Sequence, residues 1–185
     1  MGSIEGVTAT HYTPDGSFRV VEADLSELEM HAMDMSMDLA EQALRGGNPP
    51  VGAVLIDLGS EQVWGASTSD KTERHIMAHA EMRAYDQAQP TVGDELEDCV
   101  LVTTSQPCTS CTPPYVEGKI GRIIYAAARS EVWPVTGIMR PRNINMHELL
   151  VDGKTDTTVI GGYRAEEALA KFALWGQQYA EVQAS

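Results

Sequence analysis

Two short segments of this chain hold residue types that fit chemistry at a metal ion. One is His79-Ala80-Glu81, and the other is Pro107-Cys108-Thr109-Ser110-Cys111. Two thiolates and one imidazole offer three soft or borderline donors and leave a fourth position open. Three protein ligands plus water is the arrangement of a catalytic zinc, whereas a closed four-ligand shell is structural. Both segments fall at expected loop-to-helix junctions. A helix N-terminus favours thiolates and hydroxide there. Zinc lowers the pKa of bound water toward about 7, which provides a nucleophile at neutral pH. A carboxylate outside the metal shell can move the proton, and Glu81, two residues after His79, is placed for that. A redox dithiol is the rival reading of Cys108 and Cys111. It leaves His79 and Glu81 without a task, and the dithiol segment has no flanking tryptophan.

The rest of the chain must position these residues. Its 185 residues predict one domain. With 43% hydrophobic and 22% charged residues it has the composition of a globular protein, not of a disordered, collagenous or coiled-coil one. No apolar run is long enough for a membrane span. The opening residues lack a basic and an apolar region, so no signal peptide and a cytoplasmic location are expected. Three cysteines are too few and odd in number for a disulfide framework. The balance of 13 Lys+Arg against 27 Asp+Glu leaves a net charge of −14. That biases against a nucleic-acid partner, which wants cations for its phosphates.

Residues 1–23 read as a loosely structured N-terminal extension ahead of a single domain at 24–185. Around the turn Pro14-Asp15-Gly16 they form either a short hairpin, with Phe18–Glu22 as one arm, or a flexible tail. A first helix is expected from Asp24 to Leu44, capped by Asp24 with Glu27. Its methionines read as core packing, and Gly46-Gly47 and Pro49-Pro50 end it. Strands at Val51–Ile56 and Gln62–Ala66 read as a hairpin. A helix at Ile76–Gln89 is stopped by Pro90. Cys99–Thr104 and Arg122–Ala127 are buried strands, with Cys99 in the core. A long irregular stretch follows, then a strand near Thr157–Ile160 and a helix at Tyr163–Tyr179. This order predicts a three-layer α/β/α sandwich around one sheet.

His-x-Glu followed by Pro-Cys-x-x-Cys is the signature of the zinc nucleoside and base deaminases. The chain resembles that superfamily beyond the signature. His31 to Ala40, Pro50 to Leu55, Ala78 to Glu81 and Lys119 to Tyr125 are similar to segments of the bacterial tRNA adenosine deaminases. So are Gly161-Gly162 and the last helix. The resemblance extends to the guanine and cytosine deaminases of the same branch and covers roughly residues 28–180. It implies a mixed five-stranded sheet between helices and a homodimer. It implies zinc on His79, Cys108 and Cys111, with no organic cofactor. Glu81 then shuttles a proton from zinc-bound water to the leaving ammonia, and the backbone around Ala80 bonds the substrate ring.

The match departs at the substrate contacts. Where the family commonly has an asparagine, Thr68 is the nearest alignable residue. Where it often has glutamate before Pro-Cys, this chain has Gln106, a neutral amide. Thr112-Pro113-Pro114-Tyr115 stiffens the wall after Cys111. His75 and Trp133 are further candidates for substrate contact, Trp133 from a loop over the site, with Trp175 and Tyr179 as alternative aromatics. These departures and the charge favour a small-molecule amino-heterocycle, a free purine such as guanine or a nucleoside. A tRNA adenosine deaminase and a cytosine-type base deaminase are the alternatives. A non-enzymatic zinc fold is the third reading, weakened because Glu81 has no duty in a metal shell.

Overall fold

The computed structural model describes residues 7–67, 78–137 and 142–184. The chain begins with a hairpin of β1 (Thr8–Tyr12) and β2 (Phe18–Val21). The turn between them is built by Asp15, whose carboxylate accepts from Thr13 Oγ1 at 2.6 Å and from Ser17 N at 2.9 Å. Gly16 supplies the positive φ that the turn needs, +81°. Of the two forms expected for this segment, a hairpin or a tail, the described residues take the hairpin. β1 adds antiparallel to β7 (Thr157–Gly161), so the hairpin extends the sheet.

The sheet has seven strands in the order β2-β1-β7-β6-β5-β3-β4. The resemblance implies five strands; beside the five β7-β6-β5-β3-β4 the hairpin adds two more, β1 and β2, at the β7 end. β5 (Cys99–Ser105), β6 (Arg122–Ala127) and β7 run parallel, while β3 (Gly52–Asp57) and β4 (Gln62–Ser67) are antiparallel to their neighbours. The sheet is mixed, as expected. Every residue of β5 is buried, the pattern of a central strand covered on both faces.

α1 (Glu27–Arg45) starts at Ser26, not at Asp24. Ser26 Oγ accepts from Glu29 N, and the Glu29 carboxylate accepts from Ser26 N at 2.7 Å, a reciprocal capping box. Met33 and Met37 are core residues, in line with the packing role read for the methionines. α1 lies so close to β3 that a Cβ on Gly52 would stand 2.0 Å from Ser36 O. Only glycine fits there. α1 packs with α6 (Ala165–Ala184) on one side of the sheet, and α2 (Ala80–Val92) packs on β3 and β4 from the other. This is the three-layer sandwich predicted from the element order.

Two expectations change. α2 begins at Ala80, and Pro90 lies in its last turn instead of stopping it; Gly93, at φ +71°, ends the helix. A proline so late removes one bond near a frayed end, which a helix tolerates. The stretch after β6 is not irregular. It holds α4 (Arg129–Thr136), ended by Gly137 at φ +65°, and α5 (Met146–Asp152), capped by Asn145. Cys99 is buried in β5 as read from the sequence. Among the described residues no helix is long and apolar enough to cross a membrane.

Candidate active site

The two ligand segments meet because two helices start side by side. His79 is the N-cap of α2, so Ala80 and Glu81 occupy its first turn. Cys108 to Cys111 form a tight turn in which Cys111 N and Thr112 N both donate to Cys108 O at 3.0 Å. α3 (Thr112–Glu117) then begins with Cys111 as N-cap and proline in its first turn, where no N–H is missed. Tyr115 ties the helices together. Its buried hydroxyl donates to Glu81 O at 2.6 Å, and its ring meets Tyr85 edge-on at 5.9 Å.

His79 Nδ1 lies 3.1 Å from Cys111 Sγ and 3.5 Å from Cys108 Sγ, and the sulfurs are 3.4 Å apart. These three residues are the group among the described residues that could hold a metal ion. A tetrahedral zinc shell has ligand–ligand edges of roughly 3.5–3.8 Å, from bonds of about 2.0–2.3 Å. A small outward movement of the side chains admits the ion, so the donor set fits zinc. Cys108 is held down to about 3 by its hydrogen bond with Cys111 and by His79, while Cys111 is pushed up by that same bond and by burial. His79 is raised chiefly by its bond to Cys108. An anionic sulfur beside an imidazole suits a divalent cation.

Glu81 stands outside this triangle, its Oε2 3.8 Å from Cys111 Sγ. The side chain is 4% exposed. Burial raises its carboxyl to about 7, against weaker opposing effects of backbone hydrogen bonding, His79 and Arg129. A group poised near neutrality can both take and give a proton.

His79 and Cys108 open on a cavity of about 730 Å³, whose wall also includes Gln106, Arg129, His147 and Trp175. A smaller one of about 70 Å³ shares His79, Cys108 and Arg129 with it and reaches Glu81 and Ser105. Ser105 Oγ is buried with no hydrogen-bond partner. A buried hydroxyl left so is waiting for water or ligand. Gln106 is fixed: its Oε1 accepts from Arg129 N at 3.1 Å. A backbone N–H needs an acceptor, so the amide NH2 is the group left for a ligand.

Of the other candidate substrate contacts, Ala80 is fully buried at the start of α2. Thr68 and His75 lie outside the described residues. Trp133 stands on α4, not in a loop, and Trp175 lines the cavity where Trp133 does not. Tyr179 packs on Trp175 with ring centroids 5.7 Å apart. Arg129, Ser105 and His147 were not singled out from the sequence. Arg129 and Ser105 had a signal, since both sit at the C-terminal ends of parallel strands, where α/β sheets place ligands. His147 had none.

Comparison with known proteins agrees with this geometry. Residues 26–127 match the model of the cytidine and deoxycytidylate deaminase zinc-binding region. A tRNA(Ile)-lysidine synthase of Deinococcus radiodurans is 34% identical over 139 residues, 74% of this chain; the chain spans 22% of that protein's length. A probable cytosine deaminase of Schizosaccharomyces pombe is 26% identical over 149 residues, 79% of this chain and 91% of that protein. The tRNA-specific adenosine deaminase of Bacillus subtilis is 33% identical over 89 residues, 48% of this chain and 55% of that one. The fold is shared with the guanine deaminase of Nitrosomonas europaea, at a TM-score of 0.67 and 20% identity, over 84% of this chain and 87% of that one. With its two ligand segments inside the matched region and in contact, the chain belongs to the zinc-binding cytidine and deoxycytidylate deaminase family.

Proposed function

We propose that the protein is a hydrolytic deaminase of a small amino-heterocycle, a free purine such as guanine or a nucleoside, working as a homodimer. One observation carries the hydrolytic reading: a buried carboxyl raised to about 7 stands beside the ligand triad without belonging to it. A bound zinc would supply a water acidified toward a pKa of about 7. The Glu81 carboxylate takes a proton as the carbon–oxygen bond forms at the amino-bearing carbon. It returns that proton to the amino nitrogen as the carbon–nitrogen bond breaks and ammonia leaves. The buried backbone at Ala80 and the Gln106 amide orient the ring. Thr68 and His75 are the further contacts proposed for the ring. A cavity of about 730 Å³ holds such a substrate whole.

A second reading, deamination of adenosine in tRNA, is favoured by Arg129 and Arg142, two guanidinium groups in the cavity wall of an acidic protein. It has tRNA-specific relatives on its side, as the small-molecule reading has a cytosine deaminase. The deciding experiment is ammonia release from a panel of free bases, nucleosides, pterins and tRNA, with Glu81→Ala as the blank. Turnover of a small molecule is expected. Silence on every small molecule with inosine formed in tRNA overturns the first reading in favour of the second.

A further inference from the structure

The β1–β2 hairpin lies outside the family-matched segment, yet one of its side chains reaches the wall of the cavity. Tyr12 is 3% exposed, and its hydroxyl is hydrogen-bonded to His147 Nδ1. The two rings are stacked, 5.8 Å between centroids and 29° between planes. Burial pushes the phenol up to about 12 and the imidazole down, so both are neutral at pH 7.

This pairing determines a tautomer. If His147 carried its proton on Nδ1 and donated to the phenol oxygen, the Tyr12 O–H would need another acceptor. Among the described residues its hydroxyl bonds to nothing else. A buried hydroxyl hydrogen without a partner costs about 1–3 kcal/mol. The arrangement without that cost has Tyr12 donating to Nδ1 and the imidazole proton on Nε2.

His147 also lines two cavities. One is a groove of about 600 Å³ that it shares with Thr10, Tyr12 and Phe18; the other is the cavity lined by His79 and Cys108. The imidazole nitrogens occupy different edges of the ring. With Nδ1 turned to the hairpin, Nε2 is on the edge away from it. No protein partner for Nε2 is found among the described residues.

We propose that the Nε2–H of His147 is a hydrogen-bond donor to the substrate, held in that tautomer by Tyr12 of the hairpin. Tyr12 is a positioning residue and His147 a specificity contact. With the Gln106 amide NH2, this gives the wall two fixed neutral donors. The favoured substrate therefore carries acceptors, a ring carbonyl or an unprotonated ring nitrogen, away from the amino group it loses. The inference rests on the deaminase reading of the same cavity.

Two measurements test it. Long-range proton–nitrogen spectra of the metal-loaded protein should show His147 protonated on Nε2, and Tyr12→Phe should turn that signal into a mixture of tautomers. On a panel compound that the wild type deaminates, His147→Leu should raise KM about 3- to 10-fold with kcat nearly unchanged, the mark of a lost ground-state contact. His147→Gln keeps a terminal donor and should recover most of the loss. A wild type protonated on Nδ1, or a His147→Leu protein with wild-type KM, overturns the proposal. A protein that deaminates nothing refutes the deaminase reading instead, and the tautomer spectrum still decides the assignment of Tyr12 and His147.

Discussion

Keeping Glu81 out of water has an energetic cost. A carboxyl that titrates near 4.5 in the unfolded chain and near 7 in the fold contributes stability below about pH 4.5, and loses it as pH rises through 7. The loss is on the order of 3 kcal/mol. Glu81→Gln removes it. In thermal melts without metal, the variant should be more stable than wild type at pH 8, with the gap closing toward pH 5. Equal melting temperatures at pH 8 would show that the carboxyl is not raised. Cys108→Ala acts differently, because it takes one of three donors. It should lose both metal content and ammonia release, whereas Glu81→Ala should lose ammonia release and retain metal by elemental analysis.

The residues that could hold a metal were legible in the sequence because they fall in two short segments whose spacing is itself the signal. Gln106 was legible for the same reason, one position before Pro107. Arg129 left a weaker signal, its place just after a parallel strand, and His147 left none, because its part depends on where the hairpin packs in space. Trp133 and Trp175 are alike as residue types. Helix packing decides which of them faces the cavity, and no local pattern records it.

At the scale of elements, the long periodic pieces were readable and the short ones were not. α1, β3, β5 and β6 announce themselves by apolar runs with clear stops. α4 and α5 span eight and seven residues, too few turns for a periodic stripe to stand out, and Pro134 inside α4 disguises it further. The hairpin has an exposed outer strand, with Val20 83% and Phe18 64% exposed, so its sequence lacks the alternation of a half-buried strand. The contact of α1 with β3 gives a prediction of its own. Gly52→Val places a side chain where Ser36 O already stands at 2.0 Å from the first added carbon. α1 must lift from the sheet, and a loss of about 3 kcal/mol or more in urea unfolding is expected.

At the scale of the molecule, charge separates the two substrate readings. The net charge is −14, yet two guanidinium groups line the cavity. A neutral heterocycle feels little of either. Its kcat/KM should stay within about twofold between 50 and 200 mM salt, because no counterions are released. A polyanion gripped at several phosphates would lose affinity by orders of magnitude over that range. Light scattering is expected to give twice the 20.1 kDa of one chain, and a monomer at working concentration would remove the homodimer from the proposal.

His79 and Cys108 are 29 residues apart in the chain. An ion held by both closes the intervening segment into a ring, and that segment contains the whole of α2 and of the central strand β5. The ion is then a cross-link as much as a reagent. By the chain-entropy account of cross-links, closing a loop of this size restricts the unfolded ensemble by about 3.6 kcal/mol. Chelation should therefore lower the melting temperature and speed amide exchange across residues 80–107, even in a Glu81→Ala protein with no catalysis to lose.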